Sequence, residues 1–173
     1  KYAIKGENIL SVRVNNLWQA TLAPRGGEHV FSGGIYRDVR LVKKDKAHIT
    51  WSGIAVTTPD LESNNGELST VRIKSEICNS DNMETNLRLV SKVVDHSGKI
   101  VSKIESRLVV PSMTTRTIYQ TTPKIDRPSL WSTDSPILYT IESELYKGDK
   151  LIDKERTNFG FCWVNWSADK GFF

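Results

Sequence analysis

Cysteine is scarce: Cys78 and Cys162 are the two in 173 residues. Two cysteines cannot build a disulfide framework, and their spacing fits no zinc site. One bridge between neighbouring strands is open to them, and two free thiols is the simpler expectation. Histidine is as sparse. His29, His48 and His96 lie far apart and share no metal-ligand spacing, so neither a metal nor another cofactor is expected in this chain. A Gly-x-Ser-x-Gly elbow and a phosphate-binding loop are both missing, which removes the sequence signatures of those two chemistries. No apolar run approaches the roughly 20 residues that a membrane helix needs, and no membrane partner is expected. Charge of one sign is not concentrated either. The formal net charge is +4, and the one dense basic cluster is Lys43-Lys44-Asp45-Lys46. That cluster reads as a solvated connector. A nucleic-acid groove would need a basic patch with interleaved aromatics, so no nucleic-acid partner is expected. A long amphipathic helical period is also absent.

What the chain has is alternation with period two, the mark of half-buried strands. Val71, Ile73, Ser75 and Ile77 alternate with Arg72, Lys74 and Glu76. Leu87, Leu89 and Val93 share a face opposite Arg88 and Lys92. Ile100, Ile104, Leu108 and Val110 alternate with Lys103, Glu105 and Arg107; Ile137, Tyr139, Ile141 and Leu145 alternate with Glu142 and Glu144. Turn signals separate these runs: Asn64-Asn65-Gly66, Asp95-His96-Ser97-Gly98 and Gly148-Asp149. About seven short strands over residues 49–164 predict an all-β, immunoglobulin-like sandwich. Upstream, strands are expected at 9–14 and 35–42, separated by an irregular, polar stretch. Two or three strands cannot bury a sandwich core alone. Residues up to about Lys44 therefore read as the end of a domain that begins earlier.

Four segments carry a family resemblance. The run from Gly6 to Asn15, GENILSVRVN, resembles a late strand of the sugar-binding jelly roll of family 2 glycoside hydrolases. Gly33-Gly34-Ile35-Tyr36-Arg37-Asp38 resembles the motif that closes the same domain. The stretch from Pro128 to Tyr139, with Trp131 and Pro136, resembles the entry to the late strands of the family's immunoglobulin-like domain. Phe159-Gly160-Phe161, followed by Gly171-Phe172, resembles its exit strand and the approach to a catalytic (β/α)8 barrel. The resemblance implies three stretches: 1–45 as terminal jelly-roll strands, 46–164 as the sandwich, and 165–173 as the start of a linker into the barrel. Gly33 and Gly34 suit a tight or close-packed backbone. Arg37 and Asp38, adjacent on a strand, would face opposite ways and meet partners elsewhere. For Trp131 a core or interface role is expected. One position departs from the family pattern: Cys162 stands where an Arg usually follows Phe-Gly-Phe.

The family's retaining glycosidases use two carboxylates about 5–5.5 Å apart, and the resemblance places both on the barrel. No catalytic residue is therefore expected in this chain, and Glu62, Glu67 and Glu155 read as solvated surface groups. The resemblance further implies that the loop 18–32 reaches the active site of the parent. Glu28, with His29 and Arg25 beside it, is the candidate substrate-binding set there. The implied partners are a catalytic barrel of the same chain and a carbohydrate substrate, a terminal β-glycoside and in the first place a β-galactoside. Unpaired strand edges also predict either disorder in residues 1–32 or self-association through residues 1–45. A second reading is a carbohydrate-binding sandwich without catalysis, for which Trp18, Trp51, Trp163 and Trp166 would have to form an exposed platform.

Overall fold

The alternating runs become strands from Ala47 onward. A computed structural model describes residues 4–15, 34–169 and 171–172, and the chain divides into two units, Lys1–Val42 and Lys43–Phe173. The second unit holds every strand among the described residues. In chain order these are β1 (Ala47–Thr57), β2 (Leu68–Ser69), β3 (Arg72–Asn79), β4 (Thr85–Val94), β5 (Ile100–Val110) and β6 (Thr114–Thr121). They continue with β7 (Ile125–Asp126), β8 (Tyr139–Lys147), β9 (Lys150–Phe159), β10 (Trp166–Ser167) and β11 (Gly171–Phe172). A single 3-10 turn, Glu62–Asn64, follows β1.

Seven of these strands form two antiparallel sheets, one ordered β1-β3-β6 and the other β5-β4-β8-β9. The arrangement is the immunoglobulin-like sandwich, with β5 paired onto the β4-β8-β9 sheet instead of the three-stranded one. The turns follow the sequence signals. Asp95 accepts hydrogen bonds from the Ser97 and Lys99 amides and the Ser97 hydroxyl, at 2.6–3.0 Å, and closes the β4–β5 hairpin.

Inward faces carry the apolar stripes, and the core is split. Ile49, Ile77, Leu87, Leu89, Val110 and Leu145 form one buried cluster. Leu61, Val71, Ile73, Val93, Ile141 and Phe161 form another. Each fully buried side chain of this kind is worth about 1.5–3 kcal/mol. Between the clusters, β3, β4 and β8 each place a buried serine on the inward face: Ser75, Ser91 and Ser143. Gln120 of β6 engages this belt at Ser91, and the Ser75 hydroxyl has no hydrogen-bond partner among the described residues. Gln120 accepts from the Ser91 hydroxyl at 2.7 Å and donates to the Leu89 carbonyl at 3.2 Å and to Ser106 Oγ at 3.1 Å. Ser91 and Ser143 stand opposite in register, their hydroxyls 3.4 Å apart.

The outward face of the β4-β8-β9 sheet is a ladder of opposite charges. Lys92 bonds Glu144 at 2.8 Å, and Lys154 bonds both Glu142 and Glu144 at 3.0 and 3.3 Å. Directly opposed unlike charges favour this register over its slips. The Lys43–Lys46 cluster is not a solvated connector throughout. The Lys44 ammonium is folded in, bonded to Asp153 at 3.1 Å, to Glu155, and to the Ile49 carbonyl at 2.8 Å. A single amine there satisfies two carboxylates beside the start of β1.

The first unit departs from expectation. Residues 9–14 and 35–42 carry no strand pairing, because no described segment runs beside them to complete a ladder. Their apolar side chains lie open, with Ile9 91% and Leu41 98% exposed. Among the described residues, Arg37 and Asp38 find local partners. The Arg37 guanidinium stacks 5.5 Å from the Tyr36 ring, and Asp38 pairs with Arg40 at 3.6 Å. Gly34 has φ 105° with open space around it, so it answers a backbone angle and not a crowded contact.

Candidate functional site

The substrate-binding candidates Arg25, Glu28 and His29 lie outside the described residues, as does Trp18. The three other glutamates weighed from sequence are placed apart. Glu62 opens the 3-10 turn and is exposed. Glu67 pairs with Arg127 at 3.3 Å. Glu155 is half-buried against Lys44, so it is a structural ion-pair member and not the solvated group expected. His48 and His96 are likewise separate: His48 Nδ1 lies 2.9 Å from the Asp45 carbonyl, and His96 sits in the β4–β5 turn. Cys78 is half-buried, Cys162 is exposed, and the two are not bridged.

The feature that stands out is one end of the sandwich, built by residues 58–69, 125–139 and 159–164. Its base is an aromatic cluster. Tyr139, the first residue of β8, packs edge-on against Phe161 with centroids 4.8 Å apart, and Phe159 lies 5.1 Å from Phe161. Such pairs contribute about 0.5–1.5 kcal/mol beyond their area. The Tyr139 hydroxyl accepts the Ser129 amide at 3.0 Å, the tyrosine-corner arrangement of these sandwiches. It fixes the entry segment over the core.

From there the segment 128–132 runs alongside the exit strand. Leu130 and Phe161 form a parallel bridge, and the Trp131 amide donates to the Phe161 carbonyl at 2.9 Å. The Trp131 side chain lies flat on Gly160. A β-carbon at Gly160 would stand 2.7 Å from Trp131 Cβ, so only glycine admits the indole there. Gly66 does the same for a second contact: its missing β-carbon leaves room for Leu130 and the Trp163 ring.

Asp60 braces the first loop. It accepts from the Thr70 amide at 2.8 Å, from the Thr70 hydroxyl at 3.1 Å and from Ser69 at 3.3 Å. Burial alone would raise its carboxyl, but these donors together hold it below the ordinary aspartate value.

The result is a braced base with open apolar tops. Trp131 and Trp163 are each 37% exposed, and Leu130, Leu138 and Val164 are open beside them in the same segments. Exposed apolar side chains grouped on a rigid support mark an interaction surface. Trp131 is packed against Gly160 and still presents a face. Cys162 lies within this surface, between buried Phe161 and half-exposed Trp163. Trp51 and Trp166, expected as parts of a platform, are exposed on β1 and β10. Sequence reasoning missed Gly66 as part of the site, although Asn64-Asn65-Gly66 had marked the turn.

Comparison with known proteins places this end in context. Over 174 residues the chain is 30% identical to a putative β-glucuronidase of Formosa agariphila, with all of this chain and 15% of that protein covered. It is 29% identical to a β-glucuronidase of Bacteroides fragilis, covering all of this chain and 25% of that protein. It is 26% identical to a β-galactosidase of Bacteroides ovatus, covering 95% and 18%. The chain thus spans about 15–25% of the length of these curated relatives. Among solved structures, a glycosyl hydrolase family 2 member of Bacteroides cellulosilyticus superimposes with TM-score 0.68 at 25% identity, over 75% of this chain and 17% of that one. A β-glucuronidase of the same family matches as well, with TM-score 0.68 over 75% and 14%. The profile of glycosyl hydrolases family 2 matches residues 47–161, which run from β1 to the Phe161 that anchors the aromatic end. Sandwich and profile coincide on the same residues, and the chain belongs to glycosyl hydrolases family 2.

Proposed function

We propose that this chain is a non-catalytic accessory region of a retaining β-glycosidase. Its sandwich joins the terminal part of a sugar-binding jelly roll, residues 1–45, to a catalytic barrel that follows residues 165–173. The aromatic end of the sandwich is the seat for the barrel. One observation carries this reading: the family match falls on a sandwich whose exit strand is anchored beside an open, braced apolar surface. A domain joint needs that combination of rigidity and apolar exposure. The parent hydrolyses terminal β-linked sugars. Galactosides and glucuronides are the two substrates to test first, because the names of the relatives divide between them. Arg25, Glu28 and His29 remain the candidates for reaching that substrate.

The seat is tested in the full-length protein. Replacing both Trp131 and Trp163 by Ala should lower its melting temperature and its kcat/KM together, while the sandwich keeps its circular dichroism. Unchanged values in the double variant would remove the seat.

The second reading, a glycan-binding sandwich without catalysis, is favoured by Trp51, which is 82% exposed. It predicts a change in tryptophan fluorescence on titration with neutral oligosaccharides, and a flat response excludes it.

A further inference from the structure

A separate cleft lies where the two sheets part beside β5 and β6. It has a volume of about 870 Å³ and is lined by Arg88, Arg107, Arg116, Asn86 and Tyr119, with Asp149 as its one acid. That volume falls within the range of small-ligand sites, roughly 300–1,000 Å³.

Its charge arrangement is unusual for a sheet. Arg88 and Arg107 are directly opposite in the β4–β5 register, and like charges so placed destabilise a strand pair. Arg88 is turned aside onto the Tyr146 ring, 4.3 Å away, and to Glu105 at 3.2 Å. Arg107 is exposed and makes no ion pair with any described residue. Arg116 reaches across from β6 to the Val109 carbonyl with one guanidinium nitrogen at 2.7 Å, which leaves its other donors open. Three guanidinium groups thus line one hollow, and two of them have no carboxylate partner there. Tyr119 adds an aromatic ring that is 64% exposed.

The geometry points to a binding site for an acidic saccharide, one whose sugar ring carries a carboxylate or a sulfate. Guanidinium forks bond such oxyanions with two parallel hydrogen bonds. The ring of Tyr119 offers the apolar face on which a pyranose packs, and Asn86 offers hydroxyl partners. An anion between Arg88 and Arg107 also relieves their repulsion. That the ligand is a saccharide rests on the accessory-region reading above; that it is anionic rests on the cleft alone.

The test is calorimetric titration of this chain with three oligosaccharides: tetragalacturonate, a chondroitin sulfate tetrasaccharide and neutral cellotetraose. Binding of at least one acidic oligomer is expected, with no heat from the neutral one, and affinity should fall as salt rises. R107A should weaken binding about tenfold, as expected for one charge-assisted contact, and R107A/R116A should abolish it. The Arg107 side chain makes no hydrogen bond or ion pair with a described residue, so R107A should keep the fold, which its melting curve verifies. Heat from the sulfated oligomer with none from the uronate assigns a sulfate, and heat from the uronate, alone or with the sulfated oligomer, assigns the carboxylate. No binding of either acidic oligomer, equal binding of cellotetraose, or an undiminished affinity in R107A/R116A overturns the site. Tighter binding of a deca-glutamate peptide than of both saccharides overturns the saccharide assignment. None of these outcomes bears on whether a longer chain hydrolyses glycosides, so the two readings fail independently.

Discussion

Gly160 and Trp131 touch so closely that a single methyl group separates two outcomes. In G160A the new β-carbon would stand 2.7 Å from Trp131 Cβ, and the indole must lift. Overpacking of this kind destabilises by about 1–3 kcal/mol. Urea unfolding of G160A should show that loss, and emission should shift toward that of solvated tryptophan; an unchanged midpoint would mean the seat yields without strain. Glu144 provides a second test. The Lys92 ammonium bonded to it, helped by Tyr146 and Lys154, holds its carboxyl at about 2 against an ordinary 4.5, although burial opposes this. A depressed folded pKa stabilises fully above 4.5, and that contribution drains away as pH falls toward 2. E144Q should therefore lose on the order of 2 kcal/mol at neutral pH and show a flatter acid limb between those two values. A wild-type-like acid limb in E144Q would contradict the ladder. At this scale the sequence was only partly legible. Trp131 was read as an anchor from its strand-entry motif. Lys44 and Glu155 were read as solvated, because an ion pair 111 residues apart in the chain leaves no local pattern.

Strands of the sandwich were legible because one face is dry and one is wet. The apolar stripes also held a signal that alternation alone does not interpret. Ser75, Ser91 and Ser143 each occupy the middle of a stripe, and in isolation each looks like tolerated noise. Only the sheet register brings Ser91 and Ser143 together beside Gln120, while the Ser75 hydroxyl stays without a hydrogen-bond partner among the described residues. That belt is a network in which removing the hub strands the rest. Q120L leaves the Leu89 carbonyl and the Ser91 and Ser106 hydroxyls without the partner they now share. It should lower stability by about 1–3 kcal/mol, measured by thermal unfolding; a stabilised Q120L would show that the belt is dispensable. The strands expected at 9–14 and 35–42 carry no pairing among the described residues for the complementary reason. Alternation reports a surface suited to a sheet, whereas a strand also requires a neighbour whose carbonyls and amides complete it.

For the molecule as a whole, those unpaired segments leave an unusual amount of apolar surface open in the first unit, Ile9 and Leu41 among it. Light scattering of this chain is expected to report concentration-dependent self-association through residues 1–45, and deletion of residues 1–42, which keeps Lys44, should restore a monomer. A monomer at every concentration would refute it. The family was legible from four short motifs whose order and spacing agree. The candidates Arg25, Glu28 and His29 show the limit of such reading, since they lie outside the described residues and rest on the family resemblance alone. The central claim, a non-catalytic accessory region, is tested most directly by hydrolysis of a panel of aryl β-glycosides, including the galactoside and the glucuronide. Two proteins are compared: this chain, and the same chain extended through its natural downstream sequence. The account predicts that the chain alone is inert and that the extended protein cleaves a β-glycoside. Reproducible cleavage by the purified chain itself would place catalytic carboxylates within these 173 residues and contradict it.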